Sequence, residues 1–296
     1  MTTTGLKLVA VVFMLMDHIG KYIQGTPLIL RWIGRLSAPI FLFCTMWGFY
    51  YTHDRKLYIR RLYFLSLLMG ILRFVLNNFL FIEKKYQSID INIFHSLFEV
   101  VLFLYLIELR KKDINSKKNF ILYFLWQAIS CSCFMLCTYN YWHDSFIEDI
   151  VSPMVGSVFS MEGGLVFFIM GIIIYFFKSN PIRLSIIYSS YILLLNIISI
   201  SNIIPRIRLI IQHVEVVNDI YIIFFEKIIK MNSIGLIEPS LLNLFTFDYQ
   251  WMMIAALPFM LLFNQQKGKG YKYFFYIFYP LHITILYMIG NVMIYM

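Results

Sequence analysis

The chain is built from long apolar runs, and its charges gather in the short breaks between them. A helix of about 20 mostly apolar residues crosses the hydrocarbon core of a bilayer. Runs of that kind lie at roughly 5–24, 29–51, 57–77, 91–109, 119–139, 161–177, 184–204, 241–263 and 273–294. The pattern predicts an all-α fold: a polytopic integral membrane helix bundle of about nine to ten transmembrane helices. It reads as a single domain over 1–296, with no soluble module and no internal repeat. Composition points the same way. Of all residues, 60% are hydrophobic and 19% aromatic, against about 45–50% apolar in a soluble domain.

The formal net charge is +9. On a soluble surface that excess would suggest nucleic acid. Here Lys and Arg occupy alternate breaks, as cytoplasmic loops do, so no nucleic-acid partner is expected. With a cytoplasmic N-terminus, the basic breaks are Arg55-Lys56 with Arg60-Arg61, "RKKDINSKK" at 110–118, Lys178 with Arg183, and "KGKGYK" at 267–272. The 140–160 break, with Asp144, Glu148 and Asp149, then faces outside, as does the C-terminus. The first run has no small-x-small cleavage site after its apolar core and is read as a retained helix. Usage heavy in Ile, Lys, Asn and Tyr hints at an AT-rich genome, hence a multi-pass protein of a bacterial plasma membrane.

Segment 206–230 is different. Arg208, Gln212, Glu215, Asp219, Glu226 and Lys230 recur at three-, four- and seven-residue steps. They predict an amphipathic helix lying in the interface, with a tenth span as the alternative. Cys44, Cys131, Cys133 and Cys137 all fall inside apolar runs. They read as packing residues, with no disulfide framework and no metal site.

Asp17 and His18 sit side by side inside the first apolar run. The short break "QGTP" at 24–27 makes helices one and two an antiparallel hairpin, so residues equally far from the turn share a depth. Asp17 lies nine positions before Thr26 and Arg35 nine after it. At 1.5 Å per residue both are about 13 Å below the end of the hairpin. Arg31 and Arg35 are four apart and share a helix face. Two like charges on one intramembrane face need an anion, so Asp17 is expected to pair with Arg31 or Arg35. His18 points about 100° away from Asp17 and is expected to do a different job. An ionisable residue at this depth marks a functional site. The bland alternative is a neutral imidazole bonded to a backbone carbonyl.

Lys7 precedes His18 by eleven residues, so both face nearly the same way, about 16 Å apart along the axis. A cation at the mouth and a base in the interior suit an elongated anionic donor, and acetyl-CoA has that shape.

These residues resemble a known family. "LKLVAVVFMLMDHIG" (6–20), "RWIGRLSAPIFLF" (31–43), "GFYYT" (48–52) with "YIRRL" (58–62), and "FNQQKGKGYKYFFYIFYPLHITILYMI" (263–289) are similar to the TraX family. Its namesake acetylates the N-terminus of conjugative pilin. The spacing from Lys7 to His18 also resembles the Arg/Lys-x10-His signature of the wider transmembrane acyltransferases. The resemblance implies an acyl-CoA-dependent acetyltransferase that takes its acetyl group from cytoplasmic acyl-CoA. The acceptor, an amine or hydroxyl on a peptide, glycan or lipid, would lie at or beyond the outer face. Where the family carries Glu before the Gly-Phe of helix two, this chain has Trp47, so acceptor identity is not carried over.

On this reading His18 is the general base, or the carrier of an acyl group. Arg31 and Arg35, with Asp17 as their partner, either stabilise a developing oxyanion or serve only to hold the helix pair. His282, after Tyr279-Pro280 in the last run, either joins the acyl site or makes a structural hydrogen bond. His95 is a weaker candidate, and His53, His143 and His213 stand near breaks. Lys7, Arg55, Arg60, Arg61, Lys267, Lys269 and Lys272 are either the ligands of the CoA phosphates, with the backbone at Gly268 and Gly270 open to a phosphate, or ordinary positive-inside charges. No metal is expected. Glu162, beside Gly163-Gly164, is weighed as an acceptor-side carboxylate or a helix cap. Two rival classes remain: a transporter or flippase using the same Asp/Arg/His cluster, and a non-catalytic membrane subunit.

Overall fold

Short polar residues just before the apolar runs set where several helices begin. Thr2 accepts from the Gly5 amide, Asp54 from Leu57 and Asn180 from Arg183, each satisfying an amide that the first turn leaves free. The computed structural model describes residues 1–80, 88–112, 117–141, 145–235, 243–246 and 248–293. Among them every regular element is helical.

The chain runs through α1 (Thr3–Tyr22), α2 (Ile29–Gly34), α3 (Ser37–Tyr51), α4 (Arg55–Phe79), α5 (Ile93–Lys112) and α6 (Lys117–Tyr141). A π-helical turn (Ile147–Val151) leads into α7 (Ser152–Val155), followed by α8 (Gly164–Phe177) and α9 (Pro181–Ile200). Then come α10 (Ile203–Ile211), α11 (Glu215–Ile223), α12 (Asn243–Thr246), a 3-10 helix (Tyr249–Ala256), α13 (Leu257–Leu261) and α14 (Lys272–Val292). Six spans are long and apolar enough to cross a membrane: Thr3–Tyr22, Ile29–Tyr51, Arg55–Phe79, Lys117–Asn140, Pro181–Ile200 and Tyr273–Val292. The protein is a multi-pass membrane helix bundle.

Packing orders the helices. α1 lies against α2, α3 and α14; α3 and α5 both pack on α8, and α4 lies along α5. From Ile91 to Val101 the start of α5 is buried throughout. There it carries Asn92, His95, Ser96 and Glu99 into the interior.

Three expected elements take a different form. The second span is broken at Arg35–Leu36, because Pro39 has no amide to donate to the Arg35 carbonyl. Segment 206–230 is divided into α10, α11 and a π-helical stretch (Phe224–Ile229), with a turn between α10 and α11 tied by Arg208 Nε donating to Asn218 at 3.1 Å. The described part of 241–263 is the short α12 and a 3-10 helix joined to α13 at Leu257–Pro258 rather than one α-helix.

The two chain ends meet. Asn264 N–H donates to the Met1 carbonyl at 2.9 Å, and Thr3 and Thr4 amides donate to the Gln266 and Lys267 carbonyls. Gly268, at φ +74°, closes this loop; a Cβ there would stand 2.6 Å from Thr2 Oγ1. α14 therefore starts beside α1 and runs parallel to it. At their far ends Gly290 sits on the Tyr22 carbonyl, which a Cβ would approach to 2.0 Å. Gly290→Leu should push α14 off α1 and cost about 1–3 kcal/mol, seen as a lower Tm of the detergent-purified protein. An unchanged Tm would contradict this docking.

Candidate active site

Asp17 is the anion that the hairpin requires. Arg35 Nη2 donates to both its carboxylate oxygens at 2.7 and 2.9 Å, and Arg31 Nη1 lies 3.0 Å from Oδ1. Arg31 Nη1 also donates to the Asp17 carbonyl at 3.1 Å. Two glycines permit this closeness. A Cβ on Gly34 would stand 2.2 Å from Asp17 Cβ, and one on Gly20 would stand 3.0 Å from the Arg31 stem. The Asp-His-Ile-Gly and Arg-Trp-Ile-Gly-Arg motifs are thus two halves of one contact: each helix lays a charged side chain over the other's glycine. Charged bonds of this kind outweigh neutral ones, and three charges in one low-dielectric spot leave net +1.

His18 turns the other way, toward α14, and is buried. Its Nδ1 lies 2.7 Å from His282 Nε2, and the two rings stack with centroids 4.9 Å apart. His282 Nδ1 lies 2.6 Å from the Phe278 carbonyl. A carbonyl only accepts, so in the neutral pair His282 carries its proton on Nδ1 and accepts on Nε2. His18 must then donate from Nδ1. That leaves its Nε2 an unprotonated lone pair, with no protein partner among the described residues.

His18 lines a cavity of about 50 Å3 with Asp17, Arg35, Glu162, Gln250 and Tyr279. A vestibule of about 380 Å3 shares its Asp17, Arg35 and Glu162 wall and adds Lys21, Arg31, Asp90, Lys230 and Asp248. It lies at the end of the bundle away from the N-terminus. Arg35 reaches both spaces, whereas Arg31 lines only the vestibule. Tyr249 covers the guanidinium pair: Arg31 Nε donates to its hydroxyl at 3.4 Å, and Arg35 lies 5.5 Å from its ring centre.

The other candidates sit at the N-terminal end. Lys7 is half-buried, 5.6 Å from the Phe275 ring centre, and so faces α14 as His18 does. Lys267 and Lys269 are exposed, their carbonyls taken up by Thr4. Arg60 and Arg61 are exposed near the start of α4. Arg55 instead lies beside Glu108, at 3.6 Å, and over Phe49. Nearby, Lys178 rests on Tyr175, Tyr50 and Trp47, and burial pushes its ammonium down to about 8. The described CoA candidates therefore lie toward one end, with Arg55 turned to Glu108. The Lys272 side chain lies outside the described residues, as do His143 and Asp144. Gly268 is spent on closing the loop to Thr2, while Gly270 has open space around it.

Two buried ionic groups were not singled out from the sequence. Arg73 pairs with Asp149 at 2.6 Å. Glu99 accepts from Tyr123 at 3.2 Å and lies 4.0 Å from His95 Nε2. Arg73 and Glu99 offer only position as a signal, each a charge inside an apolar run, while Asp149 belongs to the 140–160 break and His95 is the weaker candidate.

A family model described as "TraX protein" matches residues 3–147. Over those residues the chain belongs to the TraX family. The matched stretch contains Asp17, His18, Arg31 and Arg35, while Glu162, His282 and the likeness at 263–289 lie beyond it. No curated protein and no solved structure matches the chain.

Asp17→Asn should strand two partly buried guanidinium groups and cost on the order of 3 kcal/mol. Gly34→Ala, which drives a methyl into Asp17, should lower Tm comparably. Thermal unfolding in detergent reads both; a neutral Asp17→Asn would mean that water already compensates the arginines.

Proposed function

We propose that this TraX-family membrane protein is an acetyltransferase, moving an acetyl group from acetyl-CoA to an amine or hydroxyl acceptor. The observation that carries the reading is the buried His18–His282 pair, whose hydrogen bonds leave His18 Nε2 as a free base on a polar cavity inside a membrane bundle. His18 Nε2 takes the proton of the acceptor X–H as X attacks the thioester carbon. The C–S bond breaks, and the proton passes to the departing thiolate, giving free CoA. Arg35 keeps N–H groups beyond those bound to Asp17 and lines the cavity, so it is the donor set for the oxyanion. Asp17 positions it. Arg31, outside the inner cavity, acts by holding Asp17.

The His18–His282 bond has a second use. When His18 gains a proton, its Nδ1–H already faces His282 Nε2, so the charge is shared within a stack closed by Phe278, 4.8 Å from His282. The basic residues at the N-terminal end favour that end as the side of the CoA phosphates. This matches a cytoplasmic N-terminus in a bacterial plasma membrane, with the acceptor entering by the vestibule.

The test is thermal stability of the detergent-purified protein against acetyl-CoA, with adenosine diphosphate ribose as the anionic control. At about 100 Kd a ligand adds about 2.7 kcal/mol. A saturable shift with acetyl-CoA and none with the control is expected. His18→Ala should keep this shift and lower acetyl transfer by about 100- to 10,000-fold. No shift at millimolar acetyl-CoA, in folded protein, overturns the reading.

A further inference from the structure

Glu162 stands where the small cavity beside His18 meets the vestibule, lining both. The other two charged residues on that shared wall, Asp17 and Arg35, are bonded to each other. Among the described residues no cation lies within ion-pair distance of Glu162. A half-buried carboxylate with no cation beside it is costly, yet this one is held firmly. Tyr279 O–H donates to its Oε2 at 3.3 Å, and that hydroxyl itself accepts from the Ile93 amide at 3.0 Å. Ser96 Oγ donates to the Glu162 carbonyl at 2.6 Å. The chain then turns through Gly163 and Gly164, both at positive φ. A Cβ on Gly164 would come within 2.3 Å of the Ile228 carbonyl. Tyr279 also meets the His18 ring edge-on, with centroids 6.5 Å apart.

We propose that Glu162 is the acceptor-binding group of this site: it holds the nucleophile by an N–H that His18 does not use and so selects nitrogen over oxygen. The inference rests on the acyltransferase reading. The chemistry is a matter of counting hydrogens. Two acceptors, the Glu162 carboxylate and His18 Nε2, converge on one small space. A hydroxyl has one hydrogen and can serve only one of them. An ammonium has three: one proton goes to Glu162 and then to vestibule water, and a second goes to His18 as the N–C bond forms and the C–S bond breaks. The second proton leaves on the thiolate. The sum is R–NH3+ plus acetyl-CoA giving the amide, CoA and one proton.

The experiment uses the full chain in detergent, acetyl-CoA, and two isosteric probe acceptors, glycinamide and glycolamide, which differ only in amine against hydroxyl. Transfer is read as CoA thiol release above hydrolysis. The wild type is expected to favour glycinamide by at least 100-fold in kcat/KM. Glu162→Gln should erase most of that preference while leaving stabilisation by acetyl-CoA unchanged. A purely structural Glu162 would lower Tm without moving the ratio between probes. If Glu162→Gln does not fold, Glu162→Asp, which keeps the charge, should keep the preference at a lower rate. If acetyl-CoA stabilises the wild type but glycinamide is not preferred, or the preference survives in Glu162→Gln, the Glu162 role is overturned and the acyltransferase reading stands. If acetyl-CoA neither stabilises the wild type nor releases thiol, it is the acyltransferase reading that falls.

Discussion

Two guanidinium groups on one face of a helix cannot enter a membrane bundle without an anion, and Asp17 supplies it. That requirement sets the rotation of α1. With Asp17 turned onto α2, the residue after it points about 100° round the helix, and there His18 meets α14. Gly20 and Gly34 bring the two helices close enough for the charges to touch. The ion group therefore decides which way the histidine faces, without touching it.

The histidine pair depends on a second constraint, the parallel docking of α14 on α1. It is secured at both ends. At one end the loop 264–269 satisfies the first amides of α1 through its carbonyls; at the other Gly290 lies against the Tyr22 backbone. Between them Tyr22 and Tyr287 meet edge-on, and the two imidazoles share a hydrogen bond. A buried imidazole pair is expensive unless its protons are all placed, and here the Phe278 carbonyl fixes the whole chain of donors.

The interior of the bundle holds several polar and charged side chains. The buried stretch of α5 brings His95 and Glu99 inside, and α4 brings Arg73 to Asp149. α5, though 20 residues long, is not among the six apolar spans, because it carries Glu99, Glu108 and the basic stretch from Arg110. Its polar groups face protein rather than lipid, where partners are at hand.

Legible in the chain alone were the class of fold, the positions of six of the nine expected spans to within a few residues, and the Asp17–Arg31–Arg35 contact. These depend on local quantities: run length, a rise of 1.5 Å per residue, and the depth symmetry of a hairpin with a short turn. The Lys7–His18 register was equally legible, since both face α14. Where helices break was less so. Pro39 opens the second span at Arg35, and 206–230 folds back on itself. Tertiary packing was needed to bring together His18 and His282, 264 residues apart, to set Glu162, bonded to Tyr279, on the cavity beside them, and to pair Arg55 with Glu108. Such pairings join helices distant in sequence. They are set by which faces close-packed helices present to one another, and a one-dimensional pattern gives a residue's depth and face but not the neighbour that face will meet.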